Sequence, residues 1–521
     1  MSRGDWHPEP ELIFLRDEAQ SRVALERLGA AAWTECLEYV YREALRRPMG
    51  PDSYRELRAR FFAGDIGAPE HRIRPAAAPA KPMTAAEILA EFRTRLAPYQ
   101  FNCHHPASFS YFTGPPLALS IVGELLGQWL SQGVDVWHAA PSGALLEEEV
   151  VGWLCSLIGY GPGSFGLLTS GGVMANLIGL TLARDVRLRA MLGHATAPRG
   201  RDLEGVRVYA SDQTHFSIGR GLDILGFPKQ TLHVVPADER FRLRGAAVAE
   251  AIAADRRAGL RPLAIAGVAG STNTGSVDAT HELADLAERE GLWFHVDAAY
   301  GGAALLSQRD AGRVTGLERA DSVTIDPHKW FFQAYDIGGL LVKRRGDLPA
   351  TFSRKPEYYR STRPEDEPLN FYEYGIEGTR RFRALKLWTS WKHLGTEGLG
   401  RLVEITDDLA AHFAKRCRES DDFELVPELP ELSVVCFRHL PGGRAAAARL
   451  APEELDRHQD RLQRALEATG EGWFSTTRLG GRTFLRAGVM NYLALPEDVD
   501  AVLAALRRLS SELVASAAGR H

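Results

Sequence analysis

The stretch Asp326-Pro327-His328-Lys329-Trp330-Phe331-Phe332 sets an amine between an imidazole and three aromatic rings. Taking an ammonium out of water lowers its pKa unless a counter-charge stands beside it. A lysine so placed is one half of a buried ion pair, a nucleophilic amine, or a side chain snorkelling from a strand end. Three other points carry chemistry of comparable weight, and each follows an apolar run that reads as a strand. Thr169-Ser170-Gly171-Gly172 closes "FGLLT" and opens a helical pattern. Free N–H groups and the helix dipole would make that turn a phosphate site; a tight strand-to-helix turn capped by Ser170 has the same sequence signature. His215 lies beyond "VRVYA", where an imidazole can stack on a flat ligand or serve as an ordinary polar loop residue. Asp297 ends "LWFHVD" and is followed by Ala298, Ala299 and Tyr300. A carboxylate there must be paired or hydrogen-bonded, because burying it alone is costly.

A phosphate cradle, a stacking imidazole, a buried acid and a desolvated lysine, in that chain order, meet the needs of one cofactor. Pyridoxal 5'-phosphate requires an anchored phosphate, a pyridine nitrogen kept protonated, and an amine to hold its aldehyde as a Schiff base. A metal is not expected, because no cluster of histidines or carboxylates accompanies Asp297. The five cysteines, Cys36, Cys103, Cys155, Cys417 and Cys436, form no CxxC pair, which argues against a zinc site and a disulfide framework. "GPGSFG" matches a dinucleotide fingerprint formally but precedes its strand instead of following it.

The elements that must position these residues follow an α/β rhythm. Residues 1–115 read as helices, with "TAAEILAEFRTRL" opening on Thr84 as N-cap. Residues 116–385 alternate apolar strands ("FGLLT", "VRVYA", "PLAIAGVA", "LWFHVD", "SVTI", "GGLLVK") with helical patterns, which implies a mostly parallel sheet covered by helices. Within it "DATHELADLAERE" is expected to be capped by Asp278 and ended by Gly291. Such sheets bind ligands at the carboxyl ends of their strands. Residues 386–521 read as a smaller α+β domain, introduced by the helix "RRFRALKLWTSWKHLG" and including the strands "ELSVVCFRHL" and "FLRAGVMNYL". No internal repeat is evident.

With 521 residues, 45% hydrophobic and 25% charged, the chain has room for more than one core. A net charge of −5 gives no general attraction to nucleic acid or anionic lipid. No apolar run approaches a membrane span, and the first residues lack a signal peptide's apolar core. A soluble protein of a reducing compartment, the cytoplasm, is the expectation.

The chain resembles the group II pyridoxal-phosphate-dependent amino-acid decarboxylases, the aromatic-L-amino-acid decarboxylase family. The resemblance rests on "ASFSYF", "TSGGVMAN", "SDQTH", "GSTNTGSVD", "HVDAAYGG", "DPHKW" and "GTRRFRALKLW". It implies the aspartate-aminotransferase-like fold (fold type I). By the same resemblance Lys329 is the Schiff-base lysine, Asp297 the partner of the pyridinium nitrogen and His215 the stacking ring. Thr272 and Ala299 match further cofactor contacts, and Gly172, Val173 and Asp326 match the phosphate-anchoring positions. The family often carries Ser-Glu where this chain has Val173-Met174, so a hydroxyl contribution to the phosphate is not carried over. His328 matches a histidine near the reacting group, and Tyr111 and Phe112 match substrate-pocket positions. Tyr358 matches the tyrosine of a loop that serves the partner subunit's site, which implies a homodimer.

The implied reaction is loss of CO2 from an L-amino acid, followed by protonation at Cα by Tyr358 to give an amine. Tyr111, Phe112 and Trp137 favour an aromatic substrate. Thr379 stands where plant relatives carry Gly or Ser, and narrows the pocket against indole. Asp135, in "QGVDVWHAAP", resembles the bacterial diamino-acid decarboxylases and could receive a cationic side chain. Two further classes stay open, an O2-dependent route to an aldehyde and a non-catalytic cofactor-binding relative. His215 and Tyr358 argue against the first, Lys329 and Asp297 against the second.

Overall fold

The computed structural model describes residues 18–43, 46–49, 53–61, 78–109, 111–354, 357 and 368–518. The chain forms two compact units, Met1–Phe109 with Asp460–Phe474 and Leu493–His521, and Ser110–Gln459 with Ser475–Tyr492.

The second unit holds two sheets. The larger contains β1 (Phe165–Thr169), β2 (Val206–Ser211), β3 (Leu232–Val235), β4 (Arg261–Val268), β5 (Trp293–Asp297), β6 (Ser322–Ile325) and β7 (Gly338–Val342), in the order β1-β7-β6-β5-β4-β2-β3. From β3 to β6 the strands are parallel. β7 runs antiparallel to both of its neighbours, β6 and β1. β1 is therefore parallel to β6, and the carboxyl ends of β1, β2, β4, β5 and β6 share one edge. Every residue of β1, β5, β6 and β7 is buried, as expected of continuous apolar runs covered on both faces. The smaller sheet is antiparallel, with β8 (Phe423–Leu425), β9 (Val434–His439), β10 (Ser475–Leu479) and β11 (Arg482–Gly488) in the order β10-β11-β9-β8. A mostly parallel sheet beside a small antiparallel one is the arrangement the sequence led one to expect.

The first unit, taken by itself, contains the helices Glu18–Glu38, Tyr54–Phe61, Ala85–Glu91 and Pro496–Ala518. Thr84 caps the third of these through a capping box with Glu87. Arg93 pairs with Glu35, and the rings of Phe101 and Trp473 lie 5.2 Å apart.

Two local expectations need correction. Asp278 does not cap the helix Thr280–Glu290, whose N-cap is Ala279. Its carboxylate instead accepts the N–H groups of Leu243 and Val268, both at 2.7 Å, and so ties the end of β4 to a neighbouring loop. Burial pushes its pKa up to about 7. The helix entering the last third does not finish at Gly395. That residue adopts φ 66° inside Ala384–Arg418, so the chain breaks there and winds on. Gly291, at φ 64°, does end Thr280–Glu290 in the left-handed region.

One buried ion pair holds the N-terminal flank of the site. Glu147, on the helix Pro141–Leu157, and Arg380 are both essentially inaccessible to solvent. Arg380 donates to both carboxylate oxygens of Glu147 and to the carbonyls of Val134 and Leu168, while Glu147 accepts the N–H of Leu168. β1 is thereby clamped just before the Thr169–Gly172 turn. Removing one member leaves the other charged and unpaired, at a cost of about 3–5 kcal/mol. In urea unfolding Arg380→Met should lose about that much. The double variant Glu147→Leu/Arg380→Met should be more stable than the single one, and the reverse order would contradict the cost assigned to the unpaired buried charge.

Candidate active site

The turn after β1 leads into the helix Gly172–Leu182 with Gly171 as N-cap, and no side chain caps it. Ser170 is exposed and plays no capping part. The first N–H groups of the helix are thus left for an anion. The turn is packed too closely for side chains. A Cβ on Gly172 would stand 2.9 Å from Asp326 Oδ2, and one on Gly338 of β7 would stand 2.4 Å from Gly171 Cα.

Lys329 follows β6, with its Nζ 3.3 Å from Asp326 Oδ2 and 5.6 Å from the centre of the Phe112 ring. Of the readings open for this lysine, ion pairing is the arrangement found. The aromatic residues after it form core: Trp330, Phe331 and Phe332 are buried, and Trp330 donates to Thr406 Oγ1 at 2.8 Å. Phe112 stacks on Tyr300 at 4.3 Å, and Tyr300 on Trp330 at 5.0 Å. His328 lies 3.6 Å from Asp326 Oδ2 through Nε2, and its Nδ1 accepts the N–H of Ile337 at 3.3 Å. Burial lowers its pKa, which favours the neutral ring. Asp326 Oδ1 is buried without a hydrogen-bond partner among the described residues.

Asp297, at the end of β5, accepts from the Ala299 N–H at 3.1 Å and from Asn176 Nδ2 at 2.7 Å, so each carboxylate oxygen has a donor. Asn176 also donates to Ser217 Oγ at 2.8 Å, and its own Oδ1 accepts from Thr324 Oγ1 at 2.6 Å and lies 2.9 Å from His295 Nε2. Ser217 Oγ in turn is 2.8 Å from His215 Nδ1. Burial lowers the pKa of His215; the charges of Asp297 and Asp326 oppose that shift and Lys329 adds to it, so all four residues share one electrostatic site. His295 is depressed further, to about 4, mainly by burial.

The other sequence candidates are spread around this centre. Ala299 is buried beside Asp297, Val173 is exposed on the first turn of its helix, and Thr272 is exposed with its carbonyl accepting from Arg486 Nε at 2.7 Å. Tyr111 is exposed at φ 54°. Asp135 is half-buried and pairs with no cation among the described residues, and Thr379 is exposed. Tyr358 lies outside the described residues.

Arg486 was not anticipated. It lies on β11, buried, with its guanidinium 4.8 Å from the Phe112 ring centre and its Nη2 without a partner among the described residues. An arginine inside the apolar run "FLRAG" was its only sequence signal. The residue set suits pyridoxal phosphate: an amine beside a carboxylate, a second carboxylate with one N–H donor on each oxygen and lone pairs to spare, an imidazole, and an uncapped helix start.

The model of the pyridoxal-dependent decarboxylase conserved domain matches residues 69–440, and the chain belongs to that family. It is 33% identical over 410 residues to an aromatic-L-amino-acid decarboxylase of Bacillus atrophaeus, covering 78% of this chain and 82% of that one. An L-2,4-diaminobutyrate decarboxylase of Acinetobacter baumannii is 29% identical over 412 residues, 77% of this chain and 79% of the other. Among solved structures, Oryza sativa TDC with PLP and tryptamine superposes with a TM-score of 0.84 at 25% identity, covering 98% of this chain and 99% of that one. The protein is therefore a pyridoxal-phosphate-dependent amino-acid decarboxylase, a carboxy-lyase.

The buried, neutral His295 makes the site acid-sensitive. The unfolded chain takes up a proton near pH 6.5 that the folded chain refuses until about pH 4. Unfolded chains then bind more protons than folded ones, so stability falls as pH drops through that window, by about 3 kcal/mol in full. Urea titrations of the apoprotein at pH 7 and pH 5 should show a larger loss in wild type than in His295→Gln. Equal losses would contradict the assignment.

Proposed function

We propose that the protein removes the α-carboxylate of an aromatic L-amino acid as CO2 and releases the amine. The observation that carries the aromatic preference is the Phe112 ring, stacked on Tyr300 and facing the Lys329 amine at 5.6 Å. A flat apolar wall beside the reacting amine favours an aromatic side chain over an aliphatic cation. Tyr111 and Thr379 would complete the substrate pocket.

Pyridoxal phosphate, when bound, supplies the electron sink that decarboxylation needs. The chain's own residues do the rest. Lys329 offers the amine that holds the cofactor, poised by Asp326 at 3.3 Å. Asp297 presents a carboxylate with both oxygens already hydrogen-bonded, suited to stabilising positive charge on a ring nitrogen. His215 gives a neutral imidazole wall, Thr272 and Ala299 line the ring, and the N–H groups of Gly172 and Val173 receive the phosphate. Asp326, a carboxylate, contributes to that end through its pairing with Lys329 and not as a donor. His328 stands at the reacting end, and Tyr358 delivers the proton to Cα as general acid.

The same reading makes the active unit a homodimer. On the helix Ala118–Leu130 the side chains of Ile121, Leu125 and Trp129, spaced four apart, are exposed, an apolar stripe suited to a second subunit. Cys36, Cys155 and Cys436 are in no disulfide, which suits the cytoplasm.

A second reading is favoured by Asp135, whose half-buried carboxylate pairs with no cation among the described residues. It suits the terminal ammonium of a diamino acid. Turnover of a panel of amino acids with product analysis separates the readings. The aromatic reading expects amine from phenyl or phenolic substrates more than from indolic ones, and Asp135→Asn to affect these little. The diamino reading expects Asp135→Asn to raise KM for diamino acids by one to two decades, about 1.5–3 kcal/mol. Stoichiometric aldehyde and peroxide from the wild-type enzyme would overturn both. Amine with little O2 uptake in wild type, shifting toward aldehyde in Tyr358→Phe, would support the role of the tyrosine.

A further inference from the structure

Between Asp297 and His215 lies a run of buried polar groups in which each donor and acceptor role is determined. Trp293 Nε1 can only donate, and it does so to Ser322 Oγ at 3.0 Å. Ser322 Oγ also lies 2.8 Å from His295 Nδ1, and because a hydroxyl can accept twice, the direction of that bond is set from the other end: the Asp297 carboxylate needs a donor, which turns the Asn176 NH2 toward it and the Asn176 oxygen toward His295 Nε2. The neutral His295 therefore carries its proton on Nε2, donating to Asn176 Oδ1 at 2.9 Å, and its Nδ1 accepts from Ser322 Oγ. Thr324 donates to the same oxygen. That fixes the amide orientation, and the two Nδ2 protons go to Asp297 Oδ2 and Ser217 Oγ. Ser217, accepting from Asn176, has its hydroxyl proton left for His215 Nδ1 at 2.8 Å, where its backbone N–H also points at 3.4 Å. The proton of a neutral His215 is then on Nε2.

We propose that Asn176 and Ser217 are positioning residues for the decarboxylation: they carry one donor–acceptor polarity from His295 to both Asp297 and His215, holding Asp297 as an acceptor and His215 as the Nε2–H tautomer. The inference rests on the proposed cofactor contacts of Asp297 and His215 only for its catalytic consequence; the tautomer itself is a property of the chain. Flipping the Asn176 amide would set its oxygen against Asp297 and its NH2 against the N–H of His295 and the hydroxyl of Thr324, so the orientation is self-consistent in one direction only. The run begins at an indole N–H that neither accepts nor releases a proton. It therefore orients groups and does not conduct protons.

Nitrogen-15 labelling of the histidine rings, with two-bond proton–nitrogen correlations on the apoprotein, reads the tautomer directly, and His215→Asn assigns the signal. Wild type should show His215 with its proton on Nε2. Ser217→Ala leaves only the longer backbone contact to Nδ1, so a second tautomer should become populated, while Ser217→Thr, keeping a hydroxyl, should retain one. In the holoenzyme Ser217→Ala should lose about tenfold in kcat/KM, and Ser217→Thr should recover most of it. A wild-type His215 protonated on Nδ1, or a tautomer indifferent to Ser217→Ala, overturns the proposal. A tautomer change without any effect on kcat/KM overturns the positioning role. Because the apoprotein arm needs no cofactor, failure of the cofactor assignment would leave its result intact while abolishing borohydride labelling at Lys329.

Discussion

Asp297 carries a negative charge into the carboxyl edge of a sheet whose central strands are buried along their full length, and much of the architecture answers that constraint. A carboxylate in such a place persists only if both oxygens find donors. The Ala299 N–H supplies one and Asn176 the other. Asn176 reaches it from the helix Gly172–Leu182, whose start is the uncapped turn after β1. The acid and the uncapped turn are thus set by one helix, and a displacement of that helix would disturb both together. The Glu147–Arg380 pair, locked onto Leu168, keeps β1 and this turn in place from the other side.

The second charge, on Lys329, is handled differently. Its ammonium is partly accessible and paired with Asp326 at 3.3 Å, while the bulky residues that follow are packed as core. Trp330 is anchored by Thr406, and Tyr300 and Phe112 extend the stack toward the amine. The aromatic run therefore serves to immobilise the backbone on which the lysine stands. Immobility matters because catalysis of this kind depends on groups held ready before charge develops.

Much of this was legible from residue types at strand ends. β1, β2, β4, β5 and β6 are apolar runs followed at once by polar or small residues, which placed Gly172, His215, Asp297 and Lys329 after strand ends; Thr272 came only from the family resemblance, and β1 reaches the same edge through the antiparallel β7 that separates it from β6, a pairing the sequence did not reveal. β3 escaped notice because it is four residues long and half-exposed, and β10 because "STTRL" alternates polar groups. Asn176, Ser217 and Arg486 were also missed. The first two lie within helices, where a polar residue reads as surface, and only the tertiary fold turns them inward. Arg486 belongs to β11, far along the chain from Phe112, and no local spacing links the two. Asp278 misled because an acid before a helix looks like a cap, whereas its oxygens are used across the sheet.

The most direct measurement of the central claim is reduction of the purified holoenzyme with borohydride, followed by peptide mapping. A pyridoxal adduct fixed on Lys329, absent in Lys329→Ala while the fold is retained, is the result expected from the proposed role of Lys329. An adduct on any other lysine, or full turnover by Lys329→Ala, would contradict it.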